Sequence, residues 1–257
     1  MISYFRDDRL CEADSFLSVV KPDDTECPMI AAVGAGGKTS TLRRLAEEYA
    51  RSGRKAIVLT TTHMREERTP WSCVVEEEKW LREGTVLLDQ VKKCLEQYEQ
   101  VWIGTKAKKG KMSSVPETIL KEIKKWRIPL LVEADGARML PLKVPGEQEP
   151  VILPQTTHVF SVYGMDALDQ KLEEICFRSE KAAELLGKQP EDQVTEEDLI
   201  KLACHGQGGR KGCPKQVEYI VVLNKADTKE LQERACKIAK CLHENGIKNI
   251  FVTSYKL

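Results

Sequence analysis

Residues 31–41 read AAVGAGGKTST, and the fold of the chain turns on them. An apolar run, MIAAVG at 29–34, enters this stretch, and a helix-patterned run, STLRRLAEEYARSG at 40–53, leaves it. Strand, glycine-rich loop and helix in that order make a phosphate loop. Gly34, Gly36 and Gly37 lack side chains, so successive backbone N–H groups, Ala35 included, are expected to converge on phosphate oxygens. The helix adds its positive end. Lys38 is expected to neutralise the β- and γ-phosphates, and Thr39, followed by Ser40, to offer its hydroxyl to Mg²⁺. The pattern G-x-x-x-x-G-K-[ST] wants glycine at 32, where this chain has Ala32. Taken as the end of the strand, that position tolerates alanine, because the later glycines make the close approach.

Working outward, short apolar runs alternate with helical patterns. The expected strands are 29–34, 55–61, 85–88, 100–104, 129–134, 158–164, 218–224 and 249–253; the helices are 39–52, 89–98, 116–126 and 228–245. Residues 179–203 read as two further helices, with GKQPEDQ as the turn and Thr195 as an N-cap. This alternation predicts an α/β chain whose mainly parallel sheet is flanked by helices, a P-loop NTPase-like fold. A single domain with a helical and loop insertion around 165–216 accounts for all 257 residues.

Composition narrows the function. Forty basic and forty acidic residues cancel, so no overall field points to nucleic acid or an anionic membrane. Nine scattered cysteines without C-x-x-C spacing suit a reducing compartment. The charged start, MISYFRDDRLCEADSF, is unlike a secretory signal, and no apolar run approaches the length of a bilayer span. A cytoplasmic protein is expected.

A second nucleotide signal stands at 219–227, YIVVLNKAD, where a strand runs into an N-K-x-D pattern. Asp227 is expected to accept hydrogen bonds from the guanine N1–H and exocyclic amine. Lys225 would lie along the base, and Asn224 would tie the loop to the phosphate side. Adenine lacks those donors, so GTP is expected over ATP. Asp227 as a simple helix cap is the plainer alternative. The terminal FVTSYKL adds a weaker guanine-loop signal at Thr253-Ser254.

Metal and water need acids at a neighbouring strand end, and IPLLVEADGAR supplies Glu133 and Asp135 on one face of an extended chain. Asp135 is assigned to Mg²⁺ and Glu133 to the water, an order that residue types alone leave reversible. Arg138 could meet a phosphate or a carboxylate. In LTTTHMRE, Thr61 or Thr62 could reach the metal or γ-phosphate, and His63 could orient a nucleophile. Three loops follow strands: a lysine-rich one at 104–116, one stiffened by prolines at 135–157 with Lys143, Glu147 and Glu149, and 204–217. The last reads as a glycine-rich loop that brings Arg210 and Lys211 to the nucleotide or a substrate anion. Binding of a soft metal or a selenium species by Cys204, His205 and Cys213 is the alternative.

Taken together, VGAGGKTST, TTTHM, VEADGARMLPLKVPGEQEPVI, VYGMDAL, GGRKGCP and VVLNKAD resemble the YqeC family over residues 28 to 228 or so. The EADGAR…PLK…EPVI block carries most of that specificity. The family favours histidine where this chain has Gln148, and proline where it has Gly206. The resemblance implies a P-loop NTPase acting in selenium cofactor maturation of molybdenum hydroxylases, with such a hydroxylase or a cofactor intermediate as partner. An ATP-dependent ligase or transferase with a Mur-like loop, or a nucleotide-gated scaffold, are the alternatives. A homodimer is compatible with each.

Overall fold

The computed structural model describes residues 1–21 and 27–256. A hairpin of β1 (Ile2–Arg6) and β2 (Arg9–Glu12) and a short helix α1 (Phe16–Val20) precede β3 (Met29–Gly34) and α2 (Lys38–Arg51). Next come β4 (Ala56–Thr60), β5 (His63–Arg65), β6 (Ser72–Val75), α3 (Glu77–Tyr98), β7 (Gln100–Ala107), β8 (Lys111–Ser113), α4 (Glu117–Lys124) and β9 (Leu130–Glu133). The second half holds β10 (Leu142–Lys143), β11 (His158–Gly164), α5 (Leu172–Ile175), β12 (Cys176–Phe177), α6 (Ser179–Leu186) and α7 (Glu196–Cys204). It closes with β13 (Glu218–Asn224), α8 (Lys229–Glu244) and β14 (Asn249–Thr253).

Among the described residues, one sheet runs β2-β1-β14-β13-β11-β3-β9-β4-β7-β8-β5, with β6 beside β7. From β14 to β7 every pairing is parallel, and the antiparallel hairpins lie at the two margins. Strand β3, which leads into the glycine-rich loop, sits centrally, buried on both faces. Ile30 and Ala32 pack toward Leu42, Leu45 and Tyr49 of α2, while Ala31 and Val33 face the layer that holds α6, α7 and α8. Under the β4–β9 half, Trp80, Leu87, Val91 and Leu95 of α3 and Ile119 and Ile123 of α4 fill a third cluster.

Most expected elements stand within a few residues of where the sequence places them. One does not: 85–88 is helix, inside α3. Its Thr-Val-Leu-Leu run looks like a strand over four residues, but the buried positions 80, 87, 91 and 95 follow helical spacing. Gly84 then lets α3 come close to α4, since a Cβ there would stand 3.0 Å from Ile119 Cδ1. Ala32 also differs from expectation. It lies inside β3, paired with Phe160 and Glu133, where a small side chain fits. The lysine loop is partly a hairpin of β7 and β8, and Asp7 and Asp8, both at positive φ, close the unforeseen β1–β2 turn. Thr195 caps α7 in a capping box with Asp198.

The N-terminal segment is anchored by Phe16, fully buried against Phe160 and Phe251 at ring separations of 5.6 and 4.9 Å. Phe16→Ala is expected to cost about 3–5 kcal/mol in denaturant unfolding. A loss below about 1 kcal/mol would show that this segment stands outside the cooperative core.

Candidate functional site

Loop 34–37 is fixed by its protein neighbours. A Cβ on Gly34 would lie 2.5 Å from Val162 O, one on Gly36 would fall on the Gly164 backbone, and one on Gly37 would fall on the Asn224 amide. All three glycines hold positive φ, at 89°, 77° and 142°, so the sequence needs glycine there for backbone reasons as well as for space. The N–H groups of Gly34, Ala35 and Gly36 do not face a common ligand as expected. They donate to Asp135 Oδ2 (3.1 Å), Val162 O (2.9 Å) and Leu140 O (3.1 Å). The converging donors therefore shift to the first turn of α2, where Gly37, Lys38, Thr39 and Ser40 have N–H groups that the helix itself cannot satisfy.

Asn224, at the end of β13, reaches this loop. Its Nδ2 donates to Gly36 O at 2.7 Å and its Oδ1 accepts from Thr253 Oγ1 at 2.8 Å. One side chain thus joins the N-K-x-D stretch, the phosphate loop and β14. Asp227 accepts from Ser254 Oγ at 2.6 Å and lies 3.2 Å from Lys256 Nζ, a side chain that is itself exposed. Burial works against the Asp227 charge, but Ser254, Lys256 and Lys225 outweigh it and hold the carboxyl below its ordinary value. Lys225 pairs with Asp166 at 2.6 Å, a partner that the VYGMDAL segment contributes just past β11.

The two acids have different surroundings. Thr39 Oγ1 donates to Glu133 Oε2 at 2.7 Å, and burial raises the Glu133 carboxyl above its ordinary value against the pull of Lys38 and Thr39. Asp135 is fully buried between lysines, with Lys38 Nζ 3.1 Å from Oδ1 and Lys143 Nζ 2.9 Å from Oδ2. Burial disfavours the Lys38 ammonium, yet Asp135, Glu133 and Glu149 together raise its pKa. Lys38 Nζ also donates to Gly34 O at 2.7 Å. Lys143 continues the row to Gly136 O (2.7 Å) and Glu149 (2.8 Å), and Arg178 meets Glu149 at 2.8 Å. The proline-stiffened loop thus supplies internal partners to the acid behind the phosphate loop.

A cavity of about 1130 Å³ opens over these groups. It is lined by Gly36 through Ser40, Glu133, Arg138 and Lys225, and by His63 and the residues after it. Gly34, Ala35, Asp135, Asn224 and Asp227 do not line it. Thr39 and Glu133 stand side by side in this space and are oxygen donors of the kind Mg²⁺ takes, whereas both Asp135 oxygens face lysines. Thr62, expected near the metal, is not a lining residue; its buried Oγ1 has no hydrogen-bond partner among the described residues. Thr61 Oγ1 donates to Val151 O at 2.8 Å, while exposed His63 does line the cavity. Arg138 is exposed, at φ 50°, with its guanidinium 4.6 Å from the Phe177 ring centre.

The 204–217 loop plays another part than expected. Lys211 Nζ donates to Gly146 O and Glu147 O, and Arg210 covers the Tyr219 ring at 4.4 Å, so both hold structure rather than reach the cavity. His205 Nδ1 accepts from Gln207 N at 3.0 Å, and no group of three metal-binding side chains forms among the described residues. Sequence reasoning missed Asp166, Leu140 and Gly164 at the site. The adjoining VYGMDAL and EADGARML segments were the signal that could have found them. No described helix is long and apolar enough to cross a membrane.

The model of the YqeC protein family matches residues 30–180. The YqeC protein of Escherichia coli (strain K12), which is described as uncharacterized, is 30% identical over 227 residues, covering 87% of this chain and 86% of its own length.

The row of charges makes stability depend on pH. Burial raises the Glu149 carboxyl, but hydrogen bonds from Lys143 and Arg178 outweigh it and bring it to about 2, from an ordinary 4.5. With the folded value below the unfolded one, this stabilisation is present above 4.5 and lost as pH falls towards 2. The gap in denaturant midpoint between wild type and Glu149→Gln is expected to be widest above about pH 5 and to close on acidification. A gap independent of pH would contradict the ion row.

Proposed function

The chain belongs to the YqeC family, and we propose that it is a Mg²⁺-dependent nucleoside triphosphatase that prefers GTP. The carrying observation is the Asn224 side chain, bonded at once to Gly36 O and Thr253 Oγ1. That tie gives the base-reading stretch and the phosphate loop a fixed spacing, as a ligand spanning both requires. A chance tetrapeptide that only caps α8 has no need of it, and α8 is capped by Thr228 instead.

In this reading the first turn of α2 and Lys38 hold the phosphates. Thr39 and Glu133 hold Mg²⁺, which supplies charge neutralisation for the leaving phosphate. Asp135 keeps Lys38 in place rather than binding the metal. Asp227, anionic and oriented by Ser254, accepts the two guanine donors. The family resemblance extends the reading to maturation of selenium-dependent molybdenum hydroxylases, with hydrolysis coupled to assembly or delivery of the cofactor. One observation favours the ligase or transferase alternative: the cavity continues past Glu133 into a basic shelf with room for a second substrate.

Calorimetric titration of non-hydrolysable GTP and ATP analogues with Mg²⁺ tests the base assignment. GTP is expected to bind at least about tenfold more tightly, and Asp227→Ala to abolish that difference. Equal binding that Asp227→Ala leaves unchanged would remove the guanine reading.

A further inference from the structure

We propose that the cavity contains a second anion subsite, at the β8–β5 margin of the sheet, formed by Arg65, Arg68, Lys109 and Lys111, with Arg138 as a fifth cation lining the same cavity. Its occupant is a small co-substrate bearing phosphate or carboxylate oxyanions. The inference rests on the nucleotide reading above and adds a second ligand to it.

Strand order sets the geometry. Along the sheet, the N-K-x-D stretch follows β13, the phosphate loop follows β3, Glu133 ends β9, and the β8–β5 pair forms the far margin. Base, phosphates and metal therefore occupy one half of the row, in that order. The cavity does not stop at Glu133. It runs on to Arg65, Arg68, Lys109 and Lys111, on or beside the antiparallel pair in which Arg65 stands opposite Lys111.

Charge identifies what belongs there. None of the five cations has a carboxylate partner among the described residues. Of the two acids on this wall, Glu67 is taken by Arg43 at 2.5 Å, leaving Glu66. Exposed cations elsewhere pair in some cases, as Lys121 does with Glu117 at 2.7 Å, and not in others, as with Lys93 and Lys237 among the described residues; what sets these five apart is that one cavity gathers them. Five like charges around one concave wall repel each other and raise the local concentration of anions. Three are guanidinium forks, which match phosphate or carboxylate oxygens two at a time.

The backbone gives an independent indication. Arg138 and Met139 are consecutive non-glycine residues at φ 50° and 64°, a left-handed conformation that residues with a Cβ disfavour. That backbone holds Arg138 at the cavity wall, braced on Phe177, and leaves Met139 89% exposed beside it. The size agrees: about 1130 Å³ exceeds the roughly 300–1,000 Å³ typical of a pocket for one small ligand.

The test uses the full chain in three titrations: a non-hydrolysable Mg²⁺–GTP analogue alone, then inorganic phosphate or tricarballylate onto protein saturated with that analogue, then the same onto Arg68→Gln/Lys111→Gln. Both substituted side chains are exposed, so the double variant is expected to fold. Either anion is expected to bind the saturated wild type, and the double variant to bind it about tenfold more weakly with the analogue's own affinity changed less than about twofold. Phosphate binding alone identifies a phosphorylated co-substrate, and tricarballylate binding alone a polycarboxylate; both support the subsite. Failure of the analogue itself would remove the nucleotide reading and the subsite with it. Normal analogue binding would overturn the subsite alone if neither anion binds, if the anion displaces the analogue, or if the double variant matches wild type.

Discussion

Four side chains in a row, Lys38, Asp135, Lys143 and Glu149, have their charges under the sheet's carboxyl edge, and no one of them is tolerable there alone. An unpaired buried charge costs several kcal/mol, so each constrains its neighbours' positions. The row begins in the phosphate loop, passes through the strand end after β9, and ends in the proline-stiffened segment before β11. It explains why EADGAR, PLK and EPVI occur together. They are three parts of one electrostatic unit whose centre is Asp135. Because Asp135 is held by Lys143 and the Gly34 N–H as well as by Lys38, a phosphate that draws Lys38 away leaves this carboxylate still paired.

The second constraint is the Asn224 amide. A sheet positions strand ends to within the spacing of its ladder, but the loops beyond it need their own ties. Asn224 supplies one by satisfying Gly36 O and accepting from Thr253, and it leaves no space for a Cβ at Gly37. The glycines of the loop are thus demanded by packing between β3, β11 and β13 before any ligand is considered. One side chain thus joins the N-K-x-D stretch to the glycine-rich loop.

The central strands were legible because parallel strands buried on both faces read as short continuous apolar runs, as MIAAVG and EYIVVLN do. The helices over them were legible from spacing. Segment 85–88 misled because a four-residue window cannot distinguish a β-favouring run from one turn of a longer helix. Strands β1, β2 and β8 have only three to five residues, too short for alternation to stand out, although the Asp7-Asp8 turn was a usable signal. At the site, residue types pointed to Lys38, Thr39, Glu133 and Asp135 but could not show that Asp135 is enclosed by lysines while Glu133 lines the cavity. That difference in surroundings depends on Lys143, eight residues downstream, folding back onto Asp135. Arg210 and Lys211 looked available in sequence because nothing there shows Tyr219 and the 146–147 carbonyls that engage them.

In the proposed function Lys38 and Asp227 hold the two ends of one ligand. A crystal structure of the chain with Mg²⁺ and a non-hydrolysable GTP analogue tests this. Expected are phosphate oxygens on Lys38 Nζ and the first turn of α2, the metal at Thr39 and Glu133, and the guanine edge on Asp227. A nucleotide bound elsewhere, or Lys38 still held by Gly34 O and Asp135 with no phosphate contact, would contradict it.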